Sequence, residues 1–469
     1  MGASILAFVL VLGAHVRVLA LILVPLIFAA FITLKSLRPQ VDDDLPIRYR
    51  FATRIGDGSA QSYSYLNEFD AQASIGANLA AGPLNETLVV VEAEDSLGAV
   101  AAANTPVTVL PFVPAVGASL ASVAADLINA SSSVGDMQRL GQIVLSLAAA
   151  LNNDATVSSG GSAEAEQTRE VLIDAVVGMG NALTPDAVSR ASQTLNAVTA
   201  RSSELSETAT DKSLEFATKL STEFKGSLSL DDVSNLAASV SSVLASSTRL
   251  HDAGSNATVA TEPETATAKA ENTQARARKL SACVSSLALV VAAGQVAGQD
   301  QATFSTETFS MSIKKDDPAQ MANTTIGSGN VRVPAGLFPP GTPAVASTVV
   351  EWEGAGPLFF AAEQSPVGND GELRSPVLSV SFSDDTDSLM AVSGLGAPFV
   401  LNMSAPNGNQ SNESAGCAYW DTASMEWVQD GVLTARYGAT THKSAEFRVF
   451  ALSLRVRFQT TRSPASLTI

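Results

Sequence analysis

The hydrophobic period of this 469-residue chain changes twice along its length. Ile47, Tyr49 and Phe51 alternate with Arg48 and Arg50, as do Phe309, Met311 and Ile313, then Leu378, Val380 and Phe382, then Phe399, Leu401 and Met403. A period of two marks a strand with one buried face. Between these blocks Met137, Leu140, Val144, Leu147 and Leu151 fall on one stripe of a 3.6-residue helix. Strands, then helices, then strands predict a multidomain α+β chain with its element types in separate blocks.

The helical block covers residues 116–300. Gly135-Asp136 precedes the first stripe and Asn152-Asn153-Asp154 ends it, so start and stop signals agree with the period. A second helix fills Glu166 to Met179, and a third opens at Thr184-Pro185-Asp186, a capping residue followed by proline at the first helical position. Further stripes run from Leu205 to Leu220, through Val233, Leu236, Val240 and Val243, and through Leu280, Cys283, Leu287 and Val290. Five or six helices are expected. Cys283 on its stripe reads as a small buried hydrophobe. Ser255 to Thr273, rich in Thr, Ala and Glu, reads as a mobile loop. Lys269, Arg276, Arg278 and Lys279 read as a solvated helix face.

The two strand blocks read as sandwiches. Residues 46–110 suit a small immunoglobulin-like one: turns at Gly56-Asp57-Gly58 and Asp95 to Gly98 separate Ile47–Phe51, Leu88–Val91 and a last strand near Val107 to Leu110. Residues 302–455 suit a second, with turns such as Pro339-Pro340-Gly341 and Pro406-Asn407-Gly408, and 456–469 a polar tail. Asp384-Asp385-Thr386-Asp387 lacks the spaced ligands and glycine of an EF-hand loop and reads as a solvated turn. Neither a metal site nor a cofactor is expected.

The first 40 residues form a membrane or targeting segment. From Ala3 to Leu34 only His15 and Arg17 are ionisable, a run longer than the roughly 20 residues one straight span needs. Two readings stay open: a signal region over Ala3 to Ala14, or a span over Val18 to Leu34 followed by Lys35 and Arg38. The basic flank points the following chain inward, whereas seven Asn-x-Ser/Thr sequons, at Asn85, Asn129, Asn256, Asn323, Asn402, Asn409 and Asn412, point it outward. A signal anchor with the bulk of the chain luminal or extracellular is the expectation. A net charge of −18 argues against nucleic acid, which needs clustered Lys and Arg. The only two cysteines cannot staple three domains, so apolar burial must hold them.

Aromatic residues make up only 6% of the chain, yet Cys417 to Leu452 holds two of the three tryptophans. Cys417, Tyr419, Trp420, Asp421, Trp427, Gly431, Thr441, His442 and Phe447, with Ser444 near the nucleophile position, resemble a G-protein-coupled receptor proteolysis site, the last strands of a GAIN domain. The phrases "VVVEAEDSLGA" and "VTVL" resemble the end of a receptor-for-egg-jelly module. "SSVGDMQRLGQIVLSLAAALN" looks like the helical stretch that follows that module in polycystins. The resemblance implies a GAIN-like domain over 302–455.

It also implies a chemistry. In such a site His442 would take the proton of Ser444, whose hydroxyl would attack the carbonyl of Lys443; a base and a preorganised turn are needed because serine is a weak nucleophile. Three departures weaken the site: Lys443 replaces the family's leucine, His442 stands five residues before Phe447, and Gly438 occupies the position of a cysteine partner for Cys417. The chain is therefore expected not to cut itself efficiently, with Cys417 left as a free thiol. No nucleotide loop, HExxH, CxxC or GxSxG is present, so no ordinary enzyme is expected. Three function classes stand: a membrane-anchored extracellular glycoprotein of the polycystin type, working in adhesion or sensing with an unidentified ligand or partner subunit; an autoproteolytic domain cutting at Lys443-Ser444; and a structural cell-surface coat protein.

Overall fold

The computed structural model describes residues 10–12 and 15–19 and most of 47–462. Its longer interruptions are 55–62, 111–118, 154–162, 256–262, 358–371, 405–412 and 437–443, and side chains are described up to Leu401. The chain is mixed α+β and divides into two compact units, Met1–Phe216 and Ala217–Ile469. The boundary falls inside the helical block.

In the first unit, β3 (Arg48–Arg54), β4 (Tyr63–Tyr65), β6 (Glu86–Glu94) and β7 (Val100–Thr108) form one antiparallel sheet in the order β4-β3-β6-β7. A smaller sheet joins β1 (Leu10–Leu12), β2 (His15–Leu19) and β5 (Gly76–Ala77). The two touch where Ala77 packs against the cluster of Phe51, Leu66 and Val91. Of the apolar N-terminal segment only β1 and β2 are described, and they pair as a hairpin. The last strand of the larger sheet is β7, which begins well before the expected Val107 because Asp95 caps a tight turn, its carboxylate accepting from the N–H groups of Leu97 and Ala99.

Four helices follow: α1 (Leu120–Val134), α2 (Met137–Asn153), α3 (Ala163–Met179) and α4 (Pro185–Thr199), packed on one another. The expected stripe of α2 is the buried one, through Leu140, Val144, Leu147 and Leu151. Thr184 caps α4, accepting from the N–H of Ala187, with Pro185 at the first position. The α2 and α4 helices reach the sheet through Gln142, which donates to the carbonyl of Leu66 at 3.4 Å, and Arg190, which donates to that of Tyr65 at 3.5 Å. Helix α5 (Glu207–Glu223) spans the unit boundary.

The second unit has three layers. Helices α6 (Leu230–Ser255) and α7 (Pro263–Gly294) pack together. They cover one face of an eight-stranded antiparallel sheet whose centre is β9 (Phe309–Asp316), β12 (Val345–Trp352) and β14 (Val377–Ser383). Ser241 of α6 meets Thr308 beside β9, and Gln295 just after α7 donates to the carbonyl of Ile313. Phe309, Met311, Ile313, Val350 and Trp352 line this face, all buried, as register puts Phe309 opposite Trp352 and Met311 opposite Val350.

The opposite face meets a five-stranded sheet of β10 (Thr325–Ile326), β11 (Val331–Arg332), β15 (Phe399–Ser404), β18 (Val432–Arg436) and β19 (Ser444–Val449), in the order β10-β11-β15-β19-β18. Val345, Val349, Leu378, Val380 and Phe382 from one sheet and Ile326, Val331, Phe399 and Leu401 from the other form a single core. Phe382 and Phe399 lie 5.8 Å apart across it. The alternation read in the sequence is thus buried on both parities at the sheet's centre, one set toward helices and the other toward the second sheet.

Three expectations need correction. The loop expected over Ser255–Thr273 is helical from Pro263, where proline at the first turn leads into Ala- and Glu-rich sequence that favours helix. Arg276, expected on a solvated face, is buried because it lies one turn before Leu280 on the apolar stripe, while Arg278 and Lys279 are exposed. Residues 456–462, expected in a tail, belong to β20 (Arg455–Arg462), in which Val456 and Phe458 alternate with arginine and glutamine. By length and composition the Glu271–Gly294 part of α7 could cross a membrane, but half of its apolar 18-residue window is buried.

Candidate functional site

The aromatic stretch is built on β16 (Glu413–Asp421), which turns back as β17 (Glu426–Val428). Their register makes Trp420 and Trp427 direct cross-strand partners, with Tyr419 opposite Val428 and Asp421 opposite Glu426. On its other edge β16 pairs β20, placing Cys417 opposite Phe458 and Tyr419 opposite Val456. Cross-strand aromatic pairs stabilise a hairpin by roughly 0.2 to 1 kcal/mol relative to alanine pairs. This hairpin is an edge of the eight-stranded sheet.

Ser444 lies elsewhere. It opens β19, whose ladder with β15 runs without interruption from Ser444 opposite Ser404 to Val449 opposite Phe399. On its other side β19 pairs β18, with a register shift between Thr434 and Arg436. The tryptophan hairpin and the serine therefore belong to different sheets of the same unit. Gly431, Thr441, His442, Lys443 and Gly438 lie outside the described residues, as do the side chains of Cys417, Tyr419, Trp420, Asp421, Trp427 and Ser444.

Of the sequons, Asn129 is exposed on α1, and Asn323 is exposed in a loop with φ of 61°. A positive φ is tolerated by asparagine better than by most residues. Asn402 sits in β15 opposite Glu446. Asn85, Asn256, Asn409 and Asn412 fall outside the described residues, although Thr87 of the first sequon is buried and donates to the carbonyl of Ala80 at 2.6 Å.

The acidic turn is closed on itself. Asp384 accepts from the Thr386 hydroxyl and from the N–H groups of Ser388 and Thr386, and these bonds hold its carboxyl below the ordinary range. A groove of about 530 Å³ lies near Asn323, between Asp317 and Thr342, walled by Pro318, Pro334, Leu337, Phe338, Pro339 and Pro340. Its walls offer apolar contact and no paired acid and base.

Sequence reasoning missed one polar centre in the first unit. Arg169 of α3 and Glu204, in a short 3-10 turn over Ser202–Glu204, are both closed off from water and bond at 2.6 Å. Arg169 also donates to the carbonyl of Val198 and to Oδ1 of Asn152, both at 2.8 Å. A signal was present: Arg169 occupies the first position of the stripe Arg169, Leu172, Ile173, Val176, where an apolar residue is expected.

No protein-family model matches the chain, and the comparison with curated proteins finds no match either.

Proposed function

We propose that the chain is the extracellular or luminal part of a membrane-anchored protein of the polycystin and egg-jelly-receptor type, a glycoprotein working in adhesion or sensing through a ligand or partner subunit. Its N-terminal apolar segment is the anchor, and its terminal β-region is a GAIN-like domain that stays in one piece. The observation that carries this reading is the register of Trp420 opposite Trp427 in a hairpin whose first strand holds Cys417, in keeping with the paired tryptophans of the proteolysis-site resemblance. Two sheets sharing one core below it, and a helical block before it, agree with the order of domains in that family.

The absence of cutting rests on Ser444. Attack on the preceding carbonyl needs a near-attack geometry, and a misplacement of about 1 Å costs on the order of a hundredfold in rate. A serine opening an uninterrupted antiparallel ladder has its own backbone held extended, opposite Ser404. Lys443 adds a charged side chain at the carbonyl to be attacked, and the altered spacing to Phe447 re-aims His442. Electrophoresis of the purified full chain under denaturing conditions tests this: one full-length band, unchanged by Ser444→Ala, is expected. A fragment beginning at Ser444 that disappears in that variant would establish the autoproteolytic reading instead.

A further inference from the structure

The groove near Asn323 has a point of covalent attachment at its rim. Its walls come from two segments: a single helical turn over Pro318–Met321 with Ala322 after it, and the chain from Pro334 to Thr342. Backbone bonds join the two segments at one end. Asn323 donates its N–H to the carbonyl of Val333 at 3.0 Å, and Val333 donates its own to the carbonyl of Thr324, also at 3.0 Å. Asn323 therefore follows the wall residue Ala322 directly and is bonded to the residue that precedes the wall residue Pro334. It begins the sequon Asn323-Thr324-Thr325, in which both Asn323 and Thr325 are exposed. Among the described residues its side-chain amide has no hydrogen-bond partner.

The groove is preformed. Phe338 is fixed in its wall by an edge-on contact with Phe382 of the shared core, ring centroids 5.5 Å apart. The turn that carries Pro339 and Pro340 is closed by Thr342, whose N–H and hydroxyl both donate to the carbonyl of Pro339. Its volume of about 530 Å³ falls within the roughly 300–1,000 Å³ usual for small-molecule sites. Most of the surface is apolar or aromatic. Asp317, also in the wall, precedes the helical turn without bonding any of its N–H groups, which leaves an exposed carboxylate. A pyranose ring matches both features. Its face of C–H groups packs on aromatic and proline surface, and its rim of hydroxyl and amide groups donates to a carboxylate.

We propose that this groove seats the chain's own N-linked glycan at Asn323, whose first N-acetylglucosamine units lie on Pro334, Leu337 and Phe338 with their polar rim toward Asp317. The attachment is what names the occupant. A tethered group is held at an effective concentration of about millimolar, so contacts too weak to capture a free sugar suffice to seat one already bonded at the rim. The inference rests on the outward placement proposed above, which brings the sequon to a lipid-linked oligosaccharide diphosphate. There the anomeric carbon exchanges its bond to the diphosphate for one to Nδ2 of Asn323, the lipid diphosphate leaves, and the amide gives up a proton.

Hydroxyl-radical footprinting of the full chain from a eukaryotic secretory host, with glycopeptides mapped at each sequon, tests it. Thr325→Ala, at an exposed strand position, removes the sequon and leaves Asn323 and the wall residues in place. Oxidation of Leu337 and Phe338, both half-buried, should be severalfold lower in the glycosylated wild type than in Thr325→Ala. The same two chains made in bacteria, without glycan, should oxidise alike. Equal oxidation of wild type and variant from the secretory host would overturn the proposal and leave the groove to a separate ligand. A difference of the same size between the bacterial chains would overturn it too, since the substitution and not the glycan would be its cause. A bare Asn323 beside a glycan at another sequon would overturn it and leave the outward placement standing, whereas no glycan at any sequon would overturn both.

Discussion

Arg169 and Glu204 form an ion pair at 2.6 Å in which neither side chain reaches water. Burial pulls the Arg169 guanidinium below its ordinary value, and the charge and hydrogen bond of Glu204 oppose that shift. The pair, with Asn152 and the carbonyl of Val198, ties α2, α3 and the end of α4 at one point. Removing one partner of a buried pair leaves an uncompensated charge and costs about 3 to 5 kcal/mol, whereas replacing both by apolar residues of similar volume is often neutral.

Glu204→Gln and Arg169→Met should therefore each lower the melting midpoint of the first unit strongly, and the double change Arg169→Met with Glu204→Leu should recover most of the loss. Calorimetry of the three variants decides it. Equal loss in the singles and the double would mean that the pair is not the source of the stability.

Cys283 is wholly buried, and desolvation pushes its thiol from 9.0 up to about 11, against hydrogen bonds with Thr218 and Ser221 that pull it down. Between about 9 and 11 the folded state holds the proton while the unfolded state has lost it, so stability is full below 9 and declines as pH rises to about 11. Cys283→Ala should remove that decline. In the wild type a maleimide at pH 8 should label Cys283 only after unfolding, and rapid native labelling would contradict its burial.

Glu351 of β12 behaves in the same sense at lower pH. Burial first, and the neighbouring Glu353 second, raise its carboxyl above the ordinary 4.5, while Nδ2 of Asn330, 3.1 Å away, opposes them. A raised carboxyl is protonated in the fold after it has ionised in the unfolded chain, so its contribution is present below 4.5 and lost as pH rises past that value. Glu351→Gln should flatten this part of the curve of melting midpoint against pH. A variant curve parallel to the wild type would refute the assignment.

Gly327, in the turn between β10 and β11, has φ of 60°, and a Cβ there would stand 2.5 Å from Cγ1 of Val349 in the shared core. Gly327→Ala combines a left-handed backbone with a clash against a buried strand residue. A loss of about 1 to 3 kcal/mol is expected from overpacking alone. Gly329→Ala, where φ is 88° but nothing lies within 4 Å, should cost less. Denaturant titration of the pair separates strain from clash, and equal losses would show that packing against Val349 is not limiting.

Much of the fold was legible because period and punctuation agreed. The stripe of α2, the Thr184-Pro185 start of α4 and the alternation of β9, β14 and β15 each follow from side-chain spacing that local geometry enforces. What spacing does not carry is partnership. Nothing along the chain told which strands share a sheet, so the split of Trp420 and Ser444 between two sheets could not be read. Arg276 was misplaced and Arg169 missed for the same reason: the buried surroundings of a charge on an apolar stripe are not written along the chain. The helix opening at Pro263 was hidden by threonines that lower propensity without forbidding helix.

The outward-facing, uncut ectodomain is tested most directly by the mass of the full chain recovered from a eukaryotic secretory host. The protein is 48.3 kDa without modification. The account predicts a single species, heavier by at least one N-linked glycan that endoglycosidase removes, with Asn323 and Asn129 exposed attachment points among the described residues. A species at the unmodified mass would contradict the outward topology, and a fragment beginning at Ser444 would contradict the intact terminal domain.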